Sequence, residues 1–307
     1  TDDMVVIKKL PKTLTIVGGG VVACEFASIF NAFGVEVHLL EHSSQILSAM
    51  DSEVVSMVMQ NFKERGMKLH LHTAVQKLSI SKTKKSKAVT LELKSGEKKK
   101  MLQTDLVLLA IGRKPNVEHI GLEAAGIQCT PRGHIIVNDR LETHAKAVYA
   151  AGDVVGGQML AHKAWYDAMI AIRAMSGEEC STNYNTVPGA IFTIPEMASV
   201  GMHADQARQK GINVSIGKFL YAENSQALCL GKQKGIVKAV IDRNTSKVVG
   251  CTIYGYNASN LISEVALAMS AGLTAQHIGE TIHPHPTLSE MVWESFLDTQ
   301  GRGIHQV

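Results

Sequence analysis

The sequence predicts an α/β fold with a doubly wound domain at the amino-terminal end and an α+β region at the carboxyl-terminal end. The amino-terminal part alternates apolar strand patterns with amphipathic helix patterns, and a glycine-rich turn at 18–20 lies between the first strand and the first helix. The carboxyl-terminal part has alternating strand patterns at 236–241 and 248–254, followed by a helix pattern over 261–271. Together these patterns indicate a chain of more than one domain.

The first strand is predicted over Thr13 to Val17, and Gly34 is predicted to stop the first helix. The apolar residues expected on the inner face of this helix are Val22, Phe26, Ile29, Phe30 and Phe33. A second strand follows over 35–40, and a second helix runs from about Asp51 to Arg65. The remaining predicted elements are a strand over 69–72, a β-meander, a buried strand over 106–110, and short strands at 135–137 and 148–150.

The glycine turn has the spacing of a dinucleotide pyrophosphate cradle. Gly18 permits the tight turn, Gly20 lets a phosphate approach the backbone, and Ala23 takes the third small position. Glu41 ends the next strand, where a carboxylate accepts ribose hydroxyls and repels a 2′-phosphate. NAD is therefore expected over NADP. The alternative, a tight turn without a ligand, is disfavoured because strand, helix and acidic residue are all in place.

Composition excludes several classes of protein. The 307 residues are 45% hydrophobic and 19% charged, with a net charge of +3, which is ordinary for a globular protein. The excess lysines are Lys82, Lys84, Lys85, Lys87 and 98–100, and they bracket a strand without interleaved aromatic residues. Nucleic-acid binding is therefore not expected. Neither a membrane span nor a signal region is seen, so a cytoplasmic protein is expected, or one of the mitochondrial matrix if the source is eukaryotic.

The cysteines suggest neither a disulfide framework nor a metal site. They are scattered and odd in number: Cys24, Cys129, Cys180, Cys229 and Cys251. His70 and His72 share a face of their predicted strand, but a third metal ligand is missing at a suitable spacing. Exposed strand histidines are the better interpretation.

Two further motifs carry chemistry. Asp153 ends a strand just before a helix that opens near Leu160 to His162, so its carboxylate can accept polyol hydroxyls while helix N–H groups face an anionic ring. A simple turn or capping acid is the alternative. His285 and Glu290 lie five residues apart across a proline turn, which suits a carboxylate-oriented proton acceptor. A structural pair beside a rigid turn is the alternative here.

In this order, the motifs resemble those of the flavin-dependent pyridine nucleotide-disulfide oxidoreductases, most closely the dihydrolipoamide dehydrogenase branch. The resemblance extends over essentially the whole chain. The motifs that carry it are the glycine turn ending in Glu25, the stretch 110–113, Thr143 with 149–153, the run 159–164, the run 192–196 and the histidine-proline segment at 283–290. The run 159–164 is similar to the lipoamide branch rather than to glutathione or mercuric ion reductases.

The resemblance implies a role for each motif. Residues 1–116 would form a Rossmann-like NAD-binding domain, 117–187 the carboxyl-terminal part of an FAD-binding domain, and 188–307 a dimerisation domain. The implied cofactor-binding residues are Gly18, Gly19, Gly20, Val21, Val22, Ala23, Glu25, Glu41, Val75, Ala110, Ile111, Gly112 and Arg113 on the NAD side, and Asp153, Met159, Leu160, Ala161 and His162 on the FAD side. His285 would be the catalytic base, with Glu290 as its orienting partner.

The resemblance also implies partners. Members of the family form homodimers in which the base reaches the flavin pocket of the other subunit, and they act on the lipoyl-bearing protein of a 2-oxo acid dehydrogenase complex. The chain departs from the family pattern because the first glycine-rich fold and the Cys-x4-Cys pair are missing from the sequence. We therefore expect a fragment or a degenerate homologue, with an incomplete FAD site and no disulfide turnover of its own.

Two alternatives to a lipoamide dehydrogenase remain open. A soluble pyridine nucleotide transhydrogenase has similar nucleotide domains and needs no cysteine pair. A non-catalytic NAD-binding or dimerisation module is the other, and the intact His285 and Glu290 argue mildly against it because a scaffold has no use for a base.

Overall fold

The computed structural model describes residues 2–82 and 87–305, so Lys84 and Lys85 of the predicted lysine-rich turn lie outside the described residues. The chain forms two compact units, Thr1–Ile111 with Pro188–Val307, and Gly112–Val187. The helices are α1 (Asp2–Val5), α2 (Val21–Ala32), α3 (Ser52–Glu64), α4 (Ala161–Met175), α5 (Ala204–Gln209), α6 (Ser225–Cys229), α7 (Ala258–Ser270), α8 (Ala275–Glu280) and α9 (Glu290–Asp298). The strands are β1 (Thr13–Val17), β2 (Glu36–Leu40), β3 (Lys68–His70), β4 (Ala74–Lys82), β5 (Lys87–Ser95), β6 (Lys98–Thr104), β7 (Leu106–Leu109), β8 (Gly189–Ile191), β9 (Glu196–Gly201), β10 (Val214–Leu220), β11 (Ile236–Asp242) and β12 (Val248–Gly255).

The amino-terminal part of the first unit is Rossmann-like, as predicted. Its four-stranded sheet has the order β3-β2-β1-β7, and β1 pairs in parallel with both β2 and β7. The chain therefore crosses to one side of β1 and then to the other, which places a switch point between β1 and β7. Side chains of β1 and β2 such as Leu14 and Leu39 are fully buried in one core with residues of α2 and α3.

The second face of this sheet is covered by a three-stranded antiparallel sheet of order β4-β5-β6, the predicted meander. Leu91, Leu93 and Leu102 of the meander form one core cluster with Leu40 of β2. The parallel sheet is consequently buried on both faces, which explains the nearly continuous apolar runs of its strands.

The inner face of α2 differs from the prediction at two positions. Ile29 is 43% exposed and Phe33 is 66% exposed, although both belong to the apolar set expected to point inward. The buried residues are mostly small: Ala23, Cys24, Ala27, Ser28 and Phe30. Small side chains let a helix lie close to the strand that precedes it, so the helix packs on its smallest face rather than its most apolar one.

The predicted strand over 69–72 is wrong at its end. β3 stops at His70, and His72 adopts a left-handed backbone with φ of 48°. The two histidines therefore do not share a strand face. His70 instead stacks on His38 of β2 at 5.3 Å between ring centroids, with 3.1 Å between its Nε2 and the Nδ1 of His38. Burial, followed by the charge of His38, lowers the pKa of His70 to about 4.

The carboxyl-terminal part of the first unit is an α+β fold around a five-stranded antiparallel sheet of order β10-β11-β12-β9-β8. The predicted strands at 236–241 and 248–254 match β11 and β12, and the predicted helix over 261–271 begins earlier, at Ala258. Apolar residues of α7 and α9 pack on this sheet in one core. The segment between α8 and α9 carries the histidine-proline motif.

Helix α3 joins the two parts of the first unit by charge. Lys238 of β11 is 8% exposed, and its Nζ lies 2.7 Å from Asp51 Oδ2 and 2.9 Å from Glu53 Oε2. Asp51 also caps α3 by accepting the N–H groups of Glu53 and Val54. Burial alone would lower the pKa of the Lys238 amine, but the hydrogen bonds to the two carboxylates outweigh it and raise that pKa. The Lys238 amine therefore stays charged across the neutral range.

The other end of α3 is fixed by hydrogen bonds to the segment between β8 and β9 and by one ion pair. The carbonyl oxygen of Ile194 accepts hydrogen bonds from Asn61 Nδ2 at 2.8 Å and from Arg65 at 3.0 Å. Glu64 also pairs with Lys234. Gly66 follows the helix with φ of 82°, as its predicted role in the cap requires.

The second unit, Gly112–Val187, centres on α4 and a short 3₁₀ turn at Gly152–Val155. The predicted strands at 135–137 and 148–150 are wrong. In the described residues of this unit, only the isolated bridges Cys129 to Ile135 and Glu142 to Tyr149 form there. Alternating apolar residues do not make a strand where a paired neighbour is lacking. Within the described part of the chain, no helix is long and apolar enough to cross a membrane.

The charge contact beneath α3 generates a stability prediction. Lys238→Met leaves the buried Asp51 carboxylate without its cation, so we expect a loss of about 3 kcal/mol in the free energy of unfolding. Urea denaturation measures it. The exposed Lys210→Met is the control, expected within about 0.5 kcal/mol of the parent. Equal stability of both variants would show that the buried contact contributes nothing.

Candidate functional site

The glycine loop follows β1 at the carboxyl edge of the parallel sheet. Gly18 has φ of +108°, and a Cβ at this position would lie 2.4 Å from the carbonyl oxygen of Ala110, which follows β7. The Gly18 N–H also donates to Leu40 O at 2.9 Å, at the end of β2. Only glycine fits this close approach of three strand ends. The loop therefore lies at the switch point where α/β sheets bind nucleotides.

Gly20 lies at the amino terminus of α2 and is open to ligands. A Cβ built on it meets no atom within 4 Å, and it has no side chain with which to cap the helix. The first N–H groups of a helix, here those of Val21, Val22 and Ala23, have no partner within the helix, and the helix dipole adds positive charge there. This arrangement fits an anionic pyrophosphate. Ala23 is fully buried, so its methyl group is accommodated in the core.

The Glu41 carboxylate faces the glycine loop. Its Oε2 accepts the N–H of Gly19 at 2.7 Å, and its Oε1 accepts the N–H of Ser43 at 2.7 Å. The residue is buried, and His42 lies against the same oxygen, with 2.8 Å from Nδ1 to Oε1. A carboxylate has about four lone-pair sites, so capacity remains for sugar hydroxyls. The bond to Gly19 is a second role that the sequence did not reveal.

Other candidate residues lie around this loop. Val75 of β4 packs in the cluster that includes Leu40, beside the end of β2. Ala110 donates its N–H to Val17 O at 2.9 Å, and Ile111 is exposed. Glu25, in the second turn of α2, accepts the N–H of Phe192 through Oε1 at 3.0 Å. Glu25 thus connects the loop helix to the predicted 192–196 motif.

The second unit holds the other cofactor candidates. Leu160 is half-buried, and the remaining candidates are exposed: Gly112, Arg113, Asp153, Met159, Ala161 and His162. Helix α4 begins at Ala161 with Leu160 as its cap residue, as predicted for the helix opening. The backbone before Asp153 is held by a buried group, because Asp167 Oδ2 accepts the Gly152 N–H at 3.0 Å. The start of this helix therefore presents exposed polar groups, which can bind the hydroxyls of a polyol chain, and exposed apolar groups, which can pack against a ring.

A buried ion pair in the first two turns of α4 was not predicted from the sequence. Lys163 and Asp167 are 3% and 0% exposed, with 2.6 Å from Nζ to Oδ2. Tyr184 donates its hydroxyl to Asp167 Oδ1 at 3.0 Å. Burial, followed by the hydrogen bond to Asp167, raises the pKa of Tyr184 to about 12. Lys163 and Asp167 are four residues apart, which places them on one face of a helix, but oppositely charged pairs with this spacing are commonly exposed to solvent. The spacing alone therefore did not predict a buried pair.

The His285 and Glu290 pair forms as predicted. Nδ1 of His285 lies 2.8 Å from Glu290 Oε1, and the imidazole is 67% exposed while the carboxylate is 12% exposed. Glu290 Oε2 also accepts the Thr287 N–H at 2.7 Å, which fixes the carboxylate at the start of α9. The carboxylate accepts the Nδ1 proton of a neutral ring, so Nε2 is left as the basic nitrogen. The arrangement can take up a proton at an accessible ring.

Comparison with known families identifies the chain. Residues 1–168 match the pyridine nucleotide-disulphide oxidoreductase model, and residues 187–296 match the dimerisation domain of the same family. The chain therefore belongs to the pyridine nucleotide-disulphide oxidoreductase family.

Curated relatives carry the name dihydrolipoyl dehydrogenase. The chain is 36% identical to that of Bacillus subtilis over 98% of this chain and 63% of the relative. It is 37% identical to that of Thermus scotoductus over 96% and 64%, and 33% identical to the mitochondrial one of Pisum sativum over 97% and 59%. The chain thus spans less than two thirds of the length of these relatives.

Solved structures agree on the fold. The Cu(II) complex of the HOCl-induced flavoprotein disulfide reductase RclA from Escherichia coli superposes with a TM-score of 0.88 at 30% identity, covering 96% of this chain and 65% of that one. LpdA from Mycobacterium tuberculosis superposes with a TM-score of 0.87 at 27% identity, covering 94% and 62%.

The glycine loop generates a paired prediction. Gly18→Ala places a Cβ against the Ala110 carbonyl in a left-handed conformation, so we expect a loss of about 2 kcal/mol or more in stability. Gly20→Ala costs less than about 1 kcal/mol, because its Cβ points into open space. The same methyl group would occupy the phosphate position, so NADH affinity should fall about tenfold or more. Thermal unfolding and calorimetry measure the two effects. Unchanged NADH binding by Gly20→Ala would contradict the assignment.

Proposed function

We propose that the chain is the NAD-binding and dimerisation part of a dihydrolipoamide dehydrogenase, the enzyme that oxidises dihydrolipoamide with NAD through FAD. One observation carries the proposal: a formed His285 and Glu290 dyad occurs in the same chain as a glycine loop braced by an acidic residue. The names of the curated relatives support it. A binding or dimerisation module alone would require neither an exposed imidazole nor its carboxylate.

The NAD site is assigned to the loop after β1 within residues 1–116. The start of α2 binds the pyrophosphate, and Gly18 and Gly20 leave the space it needs. Glu41 accepts the adenosine ribose hydroxyls and disfavours a 2′-phosphate by charge. Glu25, Val75 and Gly112 complete the set that the family pattern assigns to this cofactor.

His285 acts as the base toward a dithiol. The ring donates its Nδ1 proton to Glu290, so Nε2 accepts the thiol proton and the carboxylate stabilises the resulting imidazolium. The thiolate is then the effective nucleophile toward a disulfide. The exposure of this ring suits a base that works on a group supplied from outside its own domain.

Residues 117–187 form part of an FAD site. Asp153 would bind the ribityl hydroxyls, and Met159 to His162 at the start of α4 would bind the ring system and its phosphate side. Bound flavin would supply the two-electron redox chemistry that links the disulfide to the nicotinamide. Asp167 holds the backbone at Gly152 in place for this role. The site is incomplete in this chain, so weak or absent FAD binding is expected.

The described cysteines do not supply the redox disulfide. Cys24 and Cys251 are buried, and burial above all raises the pKa of both thiols. Cys129 and Cys229 are exposed and Cys180 is half-buried, but all three are free thiols without a disulfide partner. The redox disulfide is therefore assigned to the additional amino-terminal segment of the family pattern. Residues 188–307 form the homodimer interface, and a lipoyl-bearing protein of a 2-oxo acid dehydrogenase complex is the partner. The compartment that follows is the cytoplasm, or the mitochondrial matrix of a eukaryote.

A chimera tests this function. The chain alone, with FAD, NAD and dihydrolipoamide, should form no NADH, whereas joining it to the amino-terminal segment of the Bacillus subtilis relative should restore flavin colour and NADH formation. In that chimera, His285→Gln should lower the turnover number about 100-fold or more, because proton transfer is lost. The exposed His144→Gln is the control. A yellow, active chain without the segment, or a fully active His285→Gln chimera, would refute the proposal.

A further inference from the structure

His283 lies two residues before His285, in the segment between α8 and α9. Its side chain is buried, whereas that of His285 is exposed. Its side chain is 6% exposed, and its Nε2 lies 2.8 Å from Oε1 of Glu264 on α7. Its Nδ1 lies 2.9 Å from the carbonyl oxygen of Thr281. The ring also stacks on Trp293 of α9 at 6.2 Å between centroids. His283 therefore contacts two helices and its own backbone segment.

The two hydrogen-bond partners determine the charge of this ring. A carboxylate and a backbone carbonyl both only accept, so each ring nitrogen must donate a proton for both bonds to form. The ring that makes both bonds is the imidazolium. The hydrogen bond to Glu264 raises the pKa of His283 above its ordinary value, against the opposing effect of burial.

We propose that His283 is a positioning residue for His285, an inference that rests on the proposed role of His285 as the base. As an imidazolium bonded to Glu264, it ties the segment 281–286 to α7 and so fixes the backbone from which His285 reaches Glu290. His283 touches no reacting group itself. Its effect passes through the backbone of Pro284 to the next histidine.

The contacts of the residues that follow His283 show which geometry the hydrogen bond between His283 and Glu264 controls. Glu290 receives both Nδ1 of His285 at 2.8 Å and the N–H of Thr287 at 2.7 Å. The segment is therefore held at two places, to α7 through His283 and to α9 through Glu290. Without the hydrogen bond to Glu264, the near end of the segment keeps only the stacking of His283 on Trp293 among the contacts of this ring to the helices. The amide hydrogen of Thr287 reports whether the second contact keeps its geometry.

The contact between His283 and Glu264 depends on pH, and it weakens as the pH rises. Charged groups near His283 are Glu264 on α7 and Glu290 on α9. The titratable neighbours are His285 in the same segment and His305, which packs against Trp293, the ring on which His283 stacks. Because the folded pKa of His283 is raised, the contact is fully present below the unfolded pKa of about 6.5. It is lost as the pH rises through the raised folded value.

Nuclear magnetic resonance of the intact chain with ¹⁵N-labelled histidine tests the charge without any substitution. Long-range ¹H–¹⁵N spectra distinguish an imidazolium from either neutral tautomer. We expect His283 to show both nitrogens protonated near neutral pH, where an ordinary exposed histidine is mostly neutral. A single neutral tautomer of His283 under those conditions would overturn the proposal.

Hydrogen exchange tests the positioning. In Glu264→Gln the charge partner is lost, so protection of the Thr287 amide, corrected for intrinsic exchange, should fall at least about tenfold and lose the pH dependence seen in the parent. The matched control is Glu280→Gln, an exposed carboxylate on α8, which should leave both unchanged. Protection in Glu264→Gln equal to that of the control would overturn the proposal. Neither measurement requires turnover, so an inactive chimera would refute the proposed function without touching this inference.

Discussion

The structure of the candidate site depends on one buried carboxylate. Glu41 ends β2 and accepts the N–H of Gly19, while the preceding glycine presses against the carbonyl after β7. The loop is thus fixed between the ends of β1, β2 and β7 before any ligand arrives. A loop fixed in advance loses little conformational freedom on binding, so its N–H groups are available to an anion at low entropic cost. The proposed preference for NAD over NADP rests on the same carboxylate.

Charged contacts connect helix α3 of the nucleotide-binding part to the dimerisation region and also act within that region. Helix α3 begins at Asp51, which pairs with Lys238 of β11 in a nearly dry contact. Farther along that region, the buried His283 pairs with the half-exposed Glu264 and holds the segment that carries the exposed His285. Each of these two ion pairs has at least one buried partner, and each joins elements that are distant in the sequence. Such pairs are costly to bury, so their role is better explained by the geometry they enforce than by added stability.

The sequence predicted the first strand, the helix-ending glycines and the dyad correctly because each rests on a local rule. Gly34 and Gly66 have positive φ after their helices, and a short spacing joined His285 to Glu290. Predictions that needed tertiary information were wrong. The apolar pattern of α2 could not show that Phe33 faces solvent, because the pattern does not reveal which face meets the sheet.

Contacts distant in sequence were also beyond local reasoning. His38 and His70 meet only because β2 and β3 pair in parallel with a specific register. Asp167 reaches Gly152 and Tyr184 through the packing of the second unit, which lacks a regular strand pattern in its described residues. These errors leave the positions of the candidate site residues unaffected, because those residues lie at strand ends and helix starts, which local signals locate well.

Calorimetric titration of the chain with NADH and NADPH, repeated with Glu41→Gln, tests whether the Glu41 carboxylate makes the glycine loop prefer the nucleotide without a 2′-phosphate. We expect the parent to bind NADH about tenfold or more tightly than NADPH, and we expect Glu41→Gln to reduce this difference in affinity. Saturable binding of NADPH without a response to NADH, or an unchanged preference in Glu41→Gln, would contradict it.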